Sequence, residues 1–333
     1  MASTALKLLA VLALLVALYG WHVATSPFVY EDARLADAGS EPSLGLVRMR
    51  GLSGESWRIV QSPRASHALN LALHLMVVCL VGWLFWRLLQ DAFTAWAVAL
   101  ITAFHPLTGE TVAYAASRAE LLAATGALLA LLCVTTRSAW GWLGVLPSLA
   151  LAAAGKETGL VAIGLVPLVL WYQGRPVAAR LTALTAIVLS LFVLPWLGQW
   201  AHVGELIGLT VDPLTWLGIQ SVAVWRLVVL SAAPLWLSVS PEIPASGWAF
   251  SAALVLLVGS LELAWRARLT APLLTLGIVG CALVAAPRFL VRTPTSPFNE
   301  HQWYVAMPFV ACVLVAGLQA CETWWQTMRA EVT

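Results

Sequence analysis

Residues 66–89 read "SHALNLALHLMVVCLVGWLFWRLL". The stretch holds no Asp, Glu or Lys, and its one Arg, Arg87, falls at the end. About 20 mostly apolar residues are what a helix needs to cross the hydrocarbon of a bilayer. The stretch therefore predicts a transmembrane helix. Its polar residues His67, Asn70 and His74 recur at spacings of three and four, which places them on one helical face. They carry zinc-ligand atoms, but no Glu completes an H-E-x-x-H pattern. A polar seam against a neighbouring helix is the better account.

The rest of the chain agrees. Its 333 residues are 61% hydrophobic and 10% charged, against about 25% charged in an ordinary soluble domain. The fold class is all-α, a polytopic membrane protein. Apolar runs at 5–23, 66–89, 92–105, 118–135, 138–154, 158–172, 178–197, 248–265, 270–287 and 303–321 predict about 10 transmembrane helices, within a range of about 10–12. The first run has the layout of a signal peptide, and we take it as the first span. A formal net charge of +2 offers no basic surface, so no nucleic acid is expected as a partner. Cys79, Cys133, Cys281, Cys312 and Cys321 lie in apolar runs without metal or redox spacing, and read as small buried hydrophobes.

Lys and Arg bias sets the orientation. With both termini cytoplasmic and 213–235 re-entrant or interfacial, Lys7, Arg87, Arg137, Arg175, Arg180, Arg266, Arg268 and Arg329 fall inside. Segment 213–235 is long enough to span, but carries Arg226 at its middle and Pro234 near its end. Residues 24–64 then form a first extracytoplasmic loop. Glu31, Asp32, Glu110, Arg118, Glu120, Lys156, Glu157, Arg288, Arg292 and Glu300 share the outer face. Charges at bilayer depth are costly and usually face a cavity, so one aqueous outward cavity is expected.

Four polar blocks stand on that face. In "SPFVYEDARL" the carboxylates Glu31 and Asp32 follow the first span, as a general base or as solvated loop acids. In "FHPLTGETVAYAASRAE" (104–120) Pro106 ends a helix, because the residue before proline resists the α region. Helix is expected to restart near Thr111, which would put Tyr114 and Arg118 on one face. The block reads equally as a binding site or as a Glu–Arg staple. In "AAAGKETGL" Lys156 offers a point charge for a phosphate or a snorkelling interfacial lysine. In "TPTSPFNEHQWYVAMP" Asn299, Glu300, His301 and Gln302 precede the last span, with Trp303 and Tyr304 at interfacial depth.

Taken in order, these blocks resemble the membrane module of bacterial relatives of the transmembrane-and-tetratricopeptide-repeat O-mannosyltransferases, which belong to the GT-C class. "FVYEDARL" resembles the family's Phe-Asp-Asp element, and "HALNLALHLMVVCLVGWL" its second span. "FHPLTGETVAYAASRAELLAATGALLALL" resembles its His-Pro-x-x-x-Glu-x-Val and Arg-Ala-Glu-Leu-Leu block. "AAAGKETGLVAIGLVPLVLWY" is similar to its Lys-Glu-Thr block, "WRLVVLSAAPLWLSVSPE" to its Pro-x-x-Leu-Ser stretch, and "FNEHQWYVAMP" to Asn-Glu-His-Arg-x-Tyr-x-x-Pro.

The resemblance implies one GT-C-like transmembrane domain over 1–333. It further implies transfer of a sugar from a polyprenyl-phosphate donor to an acceptor on the extracytoplasmic face of a bacterial inner membrane. Asp32, or Glu31, would be the catalytic acid. His105, Glu110, Arg118, Glu120, Lys156, Glu157, Arg288, Arg292, Glu300 and His301 would bind substrate. GT-C enzymes divide on metal dependence; a divalent cation, Mg or Mn, would draw on Asp32 and Glu110. Partners would be the lipid bilayer, the lipid-linked sugar and other membrane-protein subunits. Three departures stand out: Glu31-Asp32 replaces paired Asp, Gln302 replaces an Arg, and the repeats are absent. They suit the alternative of a catalytically inactive structural subunit of a larger membrane complex.

Overall fold

The computed structural model describes residues 2–29, 32, 51–136, 138–187, 211–235, 237, 247–290 and 299–332. Every regular element among them is helical. They are α1 (Ala2–Thr25), α2 (Gly51–Ile59), α3 (Pro63–Leu89), α4 (Ala92–Phe104), α5 (Pro106–Ala113), α6 (Arg118–Thr135), α7 (Ala139–Gly155) and α8 (Val161–Tyr172). There follow α9 (Pro176–Ile187), then α10 (Pro213–Ala232), α11 (Gly247–Ala267), α12 (Pro272–Leu290) and α13 (Met307–Val332). Short 3-10 turns occupy Ala115–Ser117, Glu157–Leu160 and Glu300–Ala306.

The chain is an integral membrane protein. Six helical stretches among the described residues are long and apolar enough to cross a bilayer, and the pair α4–α5, bent by 53°, makes up to seven. The expected count of about 10 differs because several apolar runs form shorter helices: α7 has 17 residues and α8 has 12. Part of the run 178–197 lies outside the described residues. Segment 213–235 contains one continuous helix of 20 residues, α10, whose length and composition suit a span. The helix break expected before Pro106 is present at His105, whose backbone is extended (φ −66°, ψ 131°), as the steric rule for pre-proline residues requires.

Two compact units divide the described residues: Met1–Val166 with Glu300–Val305, and Pro167–Asn299 with Ala306–Thr333. In the first, Leu15, Val78 and Ala103 form a dry seam among α1, α3 and α4. α6 and α7 lie very close: a Cβ on Gly155 would stand 2.7 Å from the backbone nitrogen of Ala123, and one on Gly126 would collide with the backbone of Ala152. Without a hydrophobic driving force in lipid, such small-residue contacts are what let helices gain packing energy. In the second unit α10, α11 and α12 pack in succession and α12 packs on α13.

Contacts in the first unit fix which helix ends share a level. His22 reaches Ala113 O at 2.8 Å, Asp32 meets Ala116 N at 2.7 Å, and Arg64 meets Ala24 O at 3.0 Å. Lys156 meets Glu120 at 2.5 Å. At the other end Arg87 reaches Thr135 O at 3.4 Å. α1, α3, the pair α4–α5, α6 and α7 therefore alternate in direction, and the bent pair runs the full height. The ends bearing the polar blocks gather at one level.

Candidate functional site

Asp32 stands at the centre of that level and is fully buried. Its Oδ1 accepts from the Ala116 amide at 2.7 Å and its Oδ2 from the Val29 amide at 3.2 Å. The Ala116 donor is free because the 3-10 turn Ala115–Ser117 begins there, and the first amides of a helical turn lack partners within it. Burial pushes the Asp32 carboxyl above the usual carboxylate range; the two amides and the nearby His67 pull the other way.

Arg118 follows the turn and is also fully buried. Nε donates to Asn70 Oδ1 at 3.3 Å and Nη1 to Ser56 Oγ at 3.1 Å. The guanidinium carbon lies 4.5 Å from the centroid of Trp57, and Trp57 is itself buried. The Arg118 charge interacts with Asp32. Among the described residues Nη2 has no hydrogen-bond partner, and neither has Ser117 Oγ. Ser56 and Trp57 belong to α2, which packs on α6 and α7; a short helix of the first loop thus covers the guanidinium.

The seam on α3 is built as its spacing implies. Asn70 Nδ2 donates to Tyr114 O at 2.9 Å. His74 Nδ1 meets Tyr304 Oη at 2.6 Å and Nε2 meets Ala103 O at 3.1 Å. His67 Nε2 meets Pro27 O at 3.4 Å. A carbonyl only accepts, so in both histidines the proton is assigned to Nε2 and Nδ1 is left as an acceptor. In His74 that acceptor is filled by Tyr304; in His67, buried beside the ring of His22 (centroids 4.7 Å apart), it has no partner among the described residues.

The other expected residues are placed as follows. Glu120 is buried and pairs with Lys156 Nζ at 2.5 Å, and its Oε2 accepts from Thr158 Oγ1 at 3.1 Å. Lys156 is thus neutralised rather than spare. Glu157 opens the adjoining 3-10 turn. Glu110 pairs with His301 Nδ1 at 3.0 Å, and Thr111 donates to His301 O at 3.4 Å. These contacts and the His74–Tyr304 bond dock Glu300–Val305 onto the first unit. His105 serves as the N-cap of α5, its Nδ1 accepting from Leu107 N at 3.2 Å. Arg288 lies in the second unit, where its Nε donates to Gln220 Oε1 at 3.3 Å. Glu31, Arg292 and the Glu300 side chain lie outside the described residues.

Asp32 and Glu110, the carboxylates offered as metal ligands, are engaged with backbone amides and with His301. Among the described residues no three His, Cys, Asp or Glu side chains group to hold an ion. Those engagements leave no donor set for a divalent cation among the described residues. Ser56, Trp57 and His67 were not singled out as site residues from the sequence. For Trp57 and Ser56 no local pattern existed; for His67 the spacing with Asn70 was the signal. Comparison with family models, with curated proteins and with solved structures gives no match to the chain.

Proposed function

We propose that the protein is an integral-membrane glycosyltransferase of the GT-C class. It would move a sugar from a polyprenyl phosphate to an acceptor hydroxyl on the extracytoplasmic face of a bacterial inner membrane. One observation carries this reading: a buried carboxylate, Asp32, is fixed by two backbone amides with the buried Arg118 charge in its field. A general base must be oriented and poised nearer the working pH than a solvated carboxylate is. In the step, the acceptor oxygen bonds to the anomeric carbon as the bond from that carbon to the phosphate oxygen breaks. The acceptor proton passes to Asp32, and polyprenyl phosphate leaves with the bonding electrons. Arg118 supplies fixed positive charge where negative charge develops.

The test is transfer by the purified chain in bilayer discs from a panel of undecaprenyl-phosphate hexoses. Asp32→Asn is expected to lower kcat by about 10²–10⁴-fold, the usual worth of general-base catalysis. Wild-type turnover that survives Asp32→Asn overturns the role of Asp32.

A second reading, a catalytically silent structural subunit, is favoured by the cover that Trp57 places on Arg118 and by the Lys156–Glu120 pair. It predicts no transfer from any donor in the panel.

A further inference from the structure

Three buried polar atoms near Asp32 lack partners among the described residues, Arg118 Nη2, His67 Nδ1 and Ser117 Oγ, and the first two are complementary. Arg118 Nη2 can only donate, and His67 Nδ1, with its proton assigned to Nε2 by the Pro27 carbonyl, can only accept. Arg118 is 0% exposed and His67 1% exposed, so bulk water does not reach either atom. Both flank Asn70: His67 lies one turn before it on α3, and Arg118 Nε bonds to its Oδ1. Both side chains interact with the Asp32 charge. Buried polar atoms are paired in the great majority of folded proteins, and an unpaired one calls for a ligand or a trapped water.

A phosphate oxygen would satisfy Arg118 but offer nothing to His67, and an apolar group would satisfy neither. A hydroxyl meets both, since its oxygen accepts and its proton donates. We infer that His67 Nδ1 and Arg118 Nη2 together bind a substrate hydroxyl beside Asp32. His67 is then a positioning residue for the acceptor. This rests on the glycosyltransferase reading for the hydroxyl's identity as acceptor; binding of the hydroxyl itself does not depend on turnover.

The experiment separates the two. The full chain in bilayer discs is titrated, by saturation-transfer NMR, with N-acetyl-threonine methylamide and with methyl α-D-mannopyranoside, one probe for each source of hydroxyl. N-acetyl-valine methylamide, which has a methyl group in place of the hydroxyl, is the control. One hydroxyl probe is expected to bind. The valine amide, where the threonine amide is the binder, or otherwise the deoxy glycosides, should bind about tenfold or more weaker, because a site built to hydrogen-bond a hydroxyl rejects the analogue without it.

His67→Gln keeps a donor for Pro27 at the Nε2 position but leaves no acceptor at the Nδ1 position, and should weaken the probe about tenfold. His67→Asn keeps an acceptor near Nδ1 and should bind within about threefold of wild type. Equal binding of hydroxyl and isostere overturns the inference, as does wild-type affinity in His67→Gln or binding of neither probe; the pair of atoms then holds a structural water only. If His67→Gln fails to fold, the comparison of hydroxyl and isostere in the wild type still decides. Binding without transfer from any donor overturns the enzyme reading and leaves the hydroxyl site standing.

Discussion

At the scale of the residue, Asp32 ties pH to both stability and activity. Its carboxyl is raised above the ordinary value of 3.8 by burial. A raised carboxyl pKa means that the folded state holds the proton more tightly than the unfolded chain. The contribution to stability is complete below 3.8 and is lost as pH rises through the raised value. The thermal midpoint of the wild type, measured relative to Asp32→Asn, should therefore fall across that window. Transfer needs the ionised form, so the acid limb of kcat/KM should lie above 3.8 and disappear in the residual activity of Asp32→Asn. A limb unchanged by Asp32→Asn assigns it to another group. Asp32 was legible as a candidate acid because it follows the first apolar run. The Ala116 amide that holds it was not, since it comes from far along the chain.

A second residue-scale case is the pair Glu120–Lys156, in which the side chains are only 1% and 10% exposed. Removing one partner of a buried ion pair strands the other charge and typically costs about 3–5 kcal/mol, whereas removing both is often nearly neutral. Lys156→Met should lower stability by about 3–5 kcal/mol, and Glu120→Gln with Lys156→Met should recover most of it in thermal unfolding. If the single and double variants are equally damaged, the pair is not what holds the loop. Lys156 read from the sequence as a phosphate contact or a snorkelling residue. Its buried partner on another helix could not be read from local spacing.

At the scale of the element, the block 104–120 shows what local sequence carries. The break at His105–Pro106 follows from proline sterics and was legible. The rest was not: helix was expected to restart near Thr111 and run through Arg118, yet α5 begins at Pro106 itself and stops at Ala113, and Tyr114 is extended. Side chains from afar bond the carbonyls there, that of Tyr114 in addition to the Ser117 amide at 3.1 Å. His22 caps Ala113 O at 2.8 Å and Asn70 caps Tyr114 O at 2.9 Å. Asn70→Leu keeps the branched shape but strands the Arg118 Nε donor. A buried unsatisfied group costs about 1–3 kcal/mol, so the variant should unfold earlier by at least that amount. The α6–α7 contact makes a steric counterpart. Gly126→Val forces the helices apart and should cost about 1–3 kcal/mol or more, while the same change at the open Gly317, which has nothing within 4 Å, should cost far less.

At the scale of the whole molecule, composition alone carried the membrane assignment, because a chain this apolar has no other way to bury its surface. The number and sidedness of the crossings were harder, because length and apolarity do not separate a short tilted span from a packed helix. In the first unit, hydrogen bonds between helix ends settle the alternation. In the second, charge and length point in different directions. Arg266 lies in the last turn of α11 and Arg268 follows it, and the positive-inside rule places them with Arg175 in the cytoplasm. α10 is a continuous helix of 20 residues, and counting it as a crossing would put Arg266 and Arg268 on the opposite face from Arg175. Single cysteines at Gln173 and Thr270, in a background lacking the native five, distinguish the two with a membrane-impermeant maleimide on intact cells. Charge bias predicts that both are protected until the membrane is opened. Labelling of Thr270→Cys from outside, with Gln173→Cys still protected, makes α10 a full crossing. The local cost of Arg226 at mid-helix, where charge is expensive in lipid, is then outweighed by the length and apolarity of the rest of the helix.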